Sequence, residues 1–288
     1  MKKPIYLIML TCLITWFSES SALEAYDLQQ QYNNTECIEC HQKISPALVK
    51  AWQNSSHAKP NSKHKQQANC LSCHAATHRN TAAKSRQNST CIDCHGGKKA
   101  PVVHSYRNSK HGAIMAISRK KFNWENPLTE ANYRVPGCAY CHMYNGQHDT
   151  KQSIQDPLSR STNLSKQQTE QLLRKTFGIC ANCHAPRYIK QLFANGENMK
   201  KMARKKVNEA KHLIQSLGKQ FSTHELKNIQ TQFKSMQNHL SNVYLGIAHQ
   251  SPDYQWWHGQ PALDGDLLRI KSMLSELNRL QQIKKSAN

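Results

Sequence analysis

A mainly α fold with little β-structure, in two parts, follows from three observations on the sequence. Cys-x-x-Cys-His occurs five times between residues 37 and 184. No strong period-2 alternation of apolar and polar residues appears, which argues against strands. After Pro186, long Lys-rich stretches carry apolar residues at helical spacing with few breakers. The first motif family attaches c-type haem. The predicted fold class is therefore a mainly α multihaem cytochrome c core, followed by a C-terminal helical bundle or hairpin.

The motif copies are Cys37–Cys40–His41, Cys70–Cys73–His74, Cys91–Cys94–His95, Cys138–Cys141–His142 and Cys180–Cys183–His184. Two thiols three residues apart reach both vinyl groups of one porphyrin, and the adjacent His sits beneath the iron as an axial ligand. Disulfides and zinc ribbons also use Cys-x-x-Cys pairs, but neither explains a His directly after every pair. The expected cofactor is five covalently bound c-type haems. Of the 11 cysteines in the chain, only Cys12 lies outside the motifs.

Cys12 falls in a segment where Lys2 and Lys3 precede an apolar run from Ile5 to Phe17 and then Ser20, Ser21 and Ala22. That is the order of a secretory signal, expected to be cleaved after Ala22, and it implies a periplasmic protein. The alternative is an uncleaved anchor, but about 13 apolar residues are too few to span a bilayer comfortably. Removing the signal leaves ten thiols for five haems.

Only 38% of the 288 residues are hydrophobic and the mean hydropathy is −0.75, a poor composition for an ordinary core. Five porphyrins change this, because each supplies a flat apolar surface fixed to the chain. The formal charge of +21 raises nucleic acid as a partner. Export argues against that, no recognition motif or aromatic–basic ladder appears, and five haems bring about ten propionates that offset roughly half the excess. The remaining basic charge suits steering of an acidic redox partner.

The first cysteines of the motifs are spaced irregularly, which argues against a tandem repeat and leaves room for one or two short helices per haem. In the C-terminal part, residues 192–217 place Met199, Met202, Ala203, Val207, Ala210, Leu213 and Ile214 at helical spacing, and Gly218 offers a stop. Ser222 and Glu225 match a capping box that starts a second helix, running to about Leu245. A Gly-, Pro- and aromatic-rich loop is expected over 246–261, then a third helix over 264–284. The expected division is a signal peptide (1–22), a pentahaem core (23–190) and a C-terminal helical region packed on that core (191–288).

Sixteen His minus five in the motifs leaves eleven to complete the irons. The candidates for distal ligands are His57, His78, His111, His148 and His249. His78 and His148 follow a motif His too closely to cap the same iron's far face, so they are expected on neighbouring haems. His111 and His249 sit among small residues, where a backbone can approach a porphyrin. His64, His212, His224 and His239 read as surface or helix residues, with His104 and His258 between the two groups.

Cys37-Ile-Glu-Cys-His41 followed by Trp52-Gln-Asn-Ser-Ser-His57 resembles the opening haem motif of the cytochrome c554 and hydroxylamine oxidoreductase group. Pro136-Gly-Cys138-Ala-Tyr-Cys141-His-Met143 with Gly146-Gln-His148, then Cys180-Ala-Asn-Cys183-His-Ala-Pro186 and long helices, is similar to the C-terminal part of those octahaem enzymes. This chain departs from them in having five motifs, not eight. In that family the catalytic haem's motif leads into Gly-x-Asp-His-Pro and then Ser-Lys-His-Gly. Here Cys94-His95 leads into Gly97-Lys98-Lys99-Ala100-Pro101 and then Ser109-Lys110-His111-Gly112, so Lys99 and Ala100 take the acid and base positions. Alanine cannot relay a proton, whereas Lys99 is cationic and suited to holding an anion. The family also cross-links a tyrosine to its catalytic haem from another subunit; Tyr244 and Tyr254 are the candidate counterparts, with ordinary packing the simpler reading. Ammonia-forming nitrite reductase also has five haems, but one of its motifs carries Lys in place of His, which none does here.

The resulting expectation is an exported cytochrome that moves electrons between redox partner proteins, either cytochromes or quinol-linked membrane proteins, without binding nucleic acid. Homo-oligomerisation through the C-terminal helices is a further expectation. The alternative is an enzyme of hydroxylamine oxidoreductase type, acting on hydroxylamine, nitrite or a sulfur oxyanion at an open third haem with Lys99 as its catalytic residue. The first is favoured because of Lys99 and Ala100.

Overall fold

A computed structural model of the chain describes residues 30–59, 67–97, 100–126, 134–150, 154, 165–252, 255 and 258–287. The expected signal segment, Cys12, His64, Lys99 and Tyr254 lie outside the described residues. Among the described residues there are twelve α-helices and no strand. The mainly α expectation holds.

The N-terminal half is a string of short helices, and each motif occupies a helical turn. α1 (Asn34–Ile44) carries the first motif, and α2 (Pro46–Asn54) follows it. α1 starts at a reciprocal cap: the Asn33 side chain accepts from the Glu36 backbone, and the Glu36 carboxylate accepts from Asn33 N–H at 2.7 Å. α3 (Cys70–Cys73) is a single turn that carries the second motif, capped the same way by Asn69 and Ser72. α4 (Thr81–Arg86) leads to α5 (Asn88–Ile92), which opens the third motif. Then come α6 (Pro101–Arg107), α7 (Lys110–Ser118) and α8 (Cys138–His142), the last holding the fourth motif. α9 (Lys166–Ala181) ends in the fifth. Where the motif's helix ends before its His, the His N–H still closes back onto the first cysteine's carbonyl: His74 on Cys70 (2.8 Å), His95 on Cys91 (3.0 Å) and His184 on Cys180 (3.0 Å). One helical turn therefore puts both thiols on one face with the imidazole beside them.

The C-terminal part is a three-helix bundle of α10 (Pro186–Leu217), α11 (Thr223–His249) and α12 (Gln260–Ser286). Its core contains Ala203, Ala210, Ile229, Met236, Val243, Leu263, Ile270 and Leu274, all at or near zero exposure. Asp266 is also fully buried, and Gln232, His239 and Arg269 each donate to it (2.7, 2.6 and 2.8 Å). The motif-bearing half has only one small buried apolar cluster among the described residues, Met115, Phe122 and Val135 with Trp124 against it.

Three expected boundaries move. α10 starts at Pro186 instead of 192, so the division expected at 190/191 falls inside one continuous helix. α11 runs past Leu245 to His249 because Gly246 packs inside its last turn and Gln250, in the left-handed region (φ 56°), ends it. The loop expected over 246–261 is correspondingly shorter, and α12 starts at Gln260 with Pro261 in its first turn. The expected second cap is present: Ser222 Oγ accepts from Glu225 N–H and the Glu225 carboxylate accepts from Ser222 N–H at 2.8 Å.

One glycine sits where no side chain fits. A Cβ on Gly112 would lie 2.1 Å from the Tyr106 carbonyl and 2.6 Å from the Arg107 Cα, where α7 folds back against the end of α6. Gly112→Ala is expected to destabilise the folded protein by about 3 kcal/mol. Gly265→Ala, whose Cβ would meet the Arg269 guanidinium at 3.6 Å, is expected to be neutral or to stabilise by up to about 1 kcal/mol. Denaturant unfolding of both variants checks this, and equal midpoints would contradict it.

Candidate functional site

The short helices enclose one continuous cavity of about 2610 Å³. That is well beyond the roughly 300–1,000 Å³ of an ordinary small-molecule pocket. It is lined by every motif cysteine except Cys40, by all five motif His, and by His57, His78, His111, His148 and His249. Of the other described histidines, His104, His212, His224, His239 and His258 do not line it. The cavity therefore separates the ten imidazoles singled out as iron ligands from the rest.

The ring geometry within the cavity is specific. A metal–imidazole bond of about 2 Å on each side sets two imidazoles trans across one ion about 6 Å apart, centroid to centroid. His41 and His78 stand 6.5 Å apart, His95 and His57 6.1 Å, His74 and His148 6.0 Å, and His184 and His111 5.9 Å. His249, carried in by the last residue of α11, lies near the fourth motif's His142. His78 and His148 thus each stand opposite the His of a motif other than the one they follow. His104 and His258 form a sixth pair, 6.3 Å apart, which does not line the cavity.

Burial favours the neutral form of six of these rings. It pushes the pKa of His57, His74, His111, His142 and His148 down, with a neighbouring imidazole adding to the effect in each. For His249 burial first, then His142, brings it to about 4, and a Leu245 carbonyl partly offsets them. A neutral imidazole keeps a nitrogen lone pair for a metal. Hydrogen bonds settle which nitrogen that is. His148 Nδ1 lies 2.6 Å from the Gly146 carbonyl and His74 Nδ1 lies 3.3 Å from the Thr81 carbonyl; both oxygens only accept, so Nδ1 carries the proton and Nε2 is left for the iron. His249 Nδ1 is 2.8 Å from Ser105 Oγ. Among the described residues, His41 Nδ1 is buried without a hydrogen-bond partner.

The cysteines are free thiols, and the motifs touch in chain order. Cys37 and Cys70 share a hydrogen bond, as do Cys91 and Cys138. The Cys91 and Cys94 thiols help raise the pKa of Cys73, after burial. Burial, then Cys180 and Cys183, pushes Cys141 up to about 12. The first motif therefore adjoins the second, the second the third, the third the fourth and the fourth the fifth. Six cationic side chains, Lys59, Arg86, Lys110, Arg134, Arg174 and Lys190, line the cavity with one acidic one, Glu197, which Lys200 pairs at 2.6 Å. Paired thiols, opposed imidazoles, an apolar cavity and an excess of cations for propionates together fit covalently attached haem.

Sequence reasoning singled out ten imidazoles as candidates, all of which line the cavity, but not which faces which, nor the oxygens that orient them. Tyr244 is buried in α11, while Tyr106 is the tyrosine whose ring meets His249 edge-on at 6.3 Å.

Comparison with known proteins agrees with a multihaem cytochrome fold. A family model described as seven times multi-haem cytochrome CxxCH matches residues 58–227, a stretch holding four of the five motifs. A curated relative, the probable nitrite reductase-hydroxylamine oxidoreductase fusion protein of Kuenenia stuttgartiensis, is 22% identical over 90% of this chain, and the match spans only 38% of the relative's length. Among solved structures, a reducing HAO-like protein complex of Kuenenia stuttgartiensis aligns with a TM-score of 0.55 at 17% identity, covering 88% of this chain and 87% of that one. A hypothetical multiheme protein aligns with the same TM-score at 16% identity, covering 82% and 62%. At these identities the likeness is one of fold.

Proposed function

The chain belongs to the multi-haem cytochrome CxxCH family, and we propose that it is an exported cytochrome with five covalent c-type haems that passes electrons between redox partner proteins. The ten motif cysteines form the thioethers. His41, His74, His95, His142 and His184 supply one axial nitrogen each, and His78, His148, His57, His249 and His111 supply the second, in that order. When bound, haem provides a one-electron iron couple whose potential follows axial ligand, burial and nearby charge. The chain's own part is to hold both nitrogens in place and to wall the apolar cavity from water. Contact between successive motifs supports a single file of five centres running from the first motif to the fifth.

One observation carries the reading: at four of the five motifs, the third included, an imidazole stands opposite the motif His at the separation of trans ligands. With His57 6.1 Å from His95, that motif has no room for a substrate on the far side. The relatives' names support a second reading, redox chemistry on hydroxylamine, nitrite or a sulfur oxyanion at an open haem, with Lys99 as the anion-holding residue. The opposed imidazoles weigh against it. The likeness to an HAO-like complex supports assembly with other subunits or further copies of this chain. Export rests on the segment from Lys2 to Ala22; among the described residues no helix is long and apolar enough to cross a membrane.

The test is the resting oxidised protein's electron paramagnetic resonance and optical spectra. Entirely low-spin iron that does not respond to cyanide or hydroxylamine is expected. A high-spin component that shifts on adding either ligand would favour the enzyme reading.

A further inference from the structure

We infer that Ser105 is a positioning residue that sets the reduction potential of the fourth-motif haem through His249. This rests on the proposed ligation of that haem by His142 and His249. Ser105 is fully buried in α6, and its hydroxyl is committed on both sides. It donates to the Val102 carbonyl, one turn back, at 3.0 Å, and it lies 2.8 Å from His249 Nδ1. A hydroxyl has one proton, so with that proton on Val102 the oxygen accepts from His249 Nδ1–H. The tautomer follows, with Nε2 deprotonated and available to iron.

The same contact has an electronic consequence. A ligating imidazole whose other N–H is hydrogen-bonded is a stronger base toward its metal. The stronger donor favours ferric over ferrous iron and so lowers the potential. The Leu245 carbonyl also attracts this ring's proton, so Ser105 adjusts the donor strength rather than creating it. Ser105 and His249 are 144 residues apart in the chain, and their contact joins α6 of the haem-binding half to the end of α11 in the bundle. The bundle thereby supplies an axial ligand, and α6 sets how strongly it donates.

Spectroelectrochemical titration of the holoprotein tests this with three variants. His249→Ala comes first: a new high-spin signal for one iron establishes the ligation, and its absence overturns the proposed ligand pair. Given that signal, Ser105→Ala is expected to raise one of the five midpoint potentials with every haem still low-spin. Ser105→Cys, a weaker acceptor of nearly the same shape, is expected to give a smaller rise at the same haem, and it serves alone if the alanine variant does not fold. Unchanged midpoints in both Ser105 variants, or a uniform shift of all five, would overturn the role of Ser105 and leave the ligation standing.

Discussion

Replacing His57 with alanine is expected to open one haem and to turn an all-low-spin ferric spectrum into one with a single high-spin component. The reason is local. The His57 ring stands 6.1 Å from His95, and its segment is firmly held. Ser55 Oγ accepts from His57 N–H, the His57 carbonyl accepts from Ala68 N–H at 2.9 Å, and Trp52 Nε1 donates to the Ala68 carbonyl at 2.9 Å. Losing the imidazole leaves a void on the far side of the third motif that a small molecule can enter, so roughly one-fifth of the iron should bind cyanide. The two rings are also near perpendicular, at 77°, whereas His74 and His148 lie at 22°. Crossed axial imidazole planes leave two iron d orbitals nearly degenerate, which makes the low-spin signal strongly anisotropic. The signal lost in His57→Ala should therefore be a strongly anisotropic one. A variant that stays wholly low-spin, or loses a weakly anisotropic signal instead, would show that His57 is not the ligand facing the third motif.

The haem-free chain is expected to keep its C-terminal bundle and lose its N-terminal half. Buried apolar side chains are concentrated in α10, α11 and α12, where the three helices pack on one another. Around the motifs the apolar side chains face a cavity of about 2610 Å³ instead. Without porphyrins that surface meets water, and the short helices have too little else to offset their conformational entropy. Among the exposed large hydrophobics, Leu48, Val102, Ile114 and Tyr188 line the cavity and are the ones that haem would cover. Protein made without haem attachment should lose near-UV circular dichroism from the N-terminal half. Brief trypsin treatment should leave a resistant fragment starting within the first half of α10, ahead of the bundle core at Met199 and Ala203. A native-like near-UV spectrum, or equal protection of both halves, would contradict the idea that haem acts as the core.

The haem-attachment motifs were legible because their chemistry is local. Two thiols and an imidazole within one helical turn need nothing from the rest of the chain, and the cap at Ser222 and Glu225 is local in the same way. The helix starting at Pro186 was read late because residues 186–191 show little periodicity on their own. Gly246 read as a break because a glycine costs helix stability in isolation, while in the folded chain it packs in the last turn of α11. Lys99 lies outside the described residues, so its part in any anion site rests on resemblance alone.

What the amino-acid sequence determined by itself was the kind of protein: a mainly α chain with five haem-attachment motifs and enough histidines to ligate each iron twice. Only the tertiary structure decided which imidazole faces which motif, that the motifs adjoin in chain order, and that His249 comes from the bundle to meet Ser105. The physical reason is distance along the chain. A thioether motif is specified by neighbours within one turn, whereas a trans ligand is specified by packing between segments as far apart as 144 residues. Nothing in a local pattern records that packing.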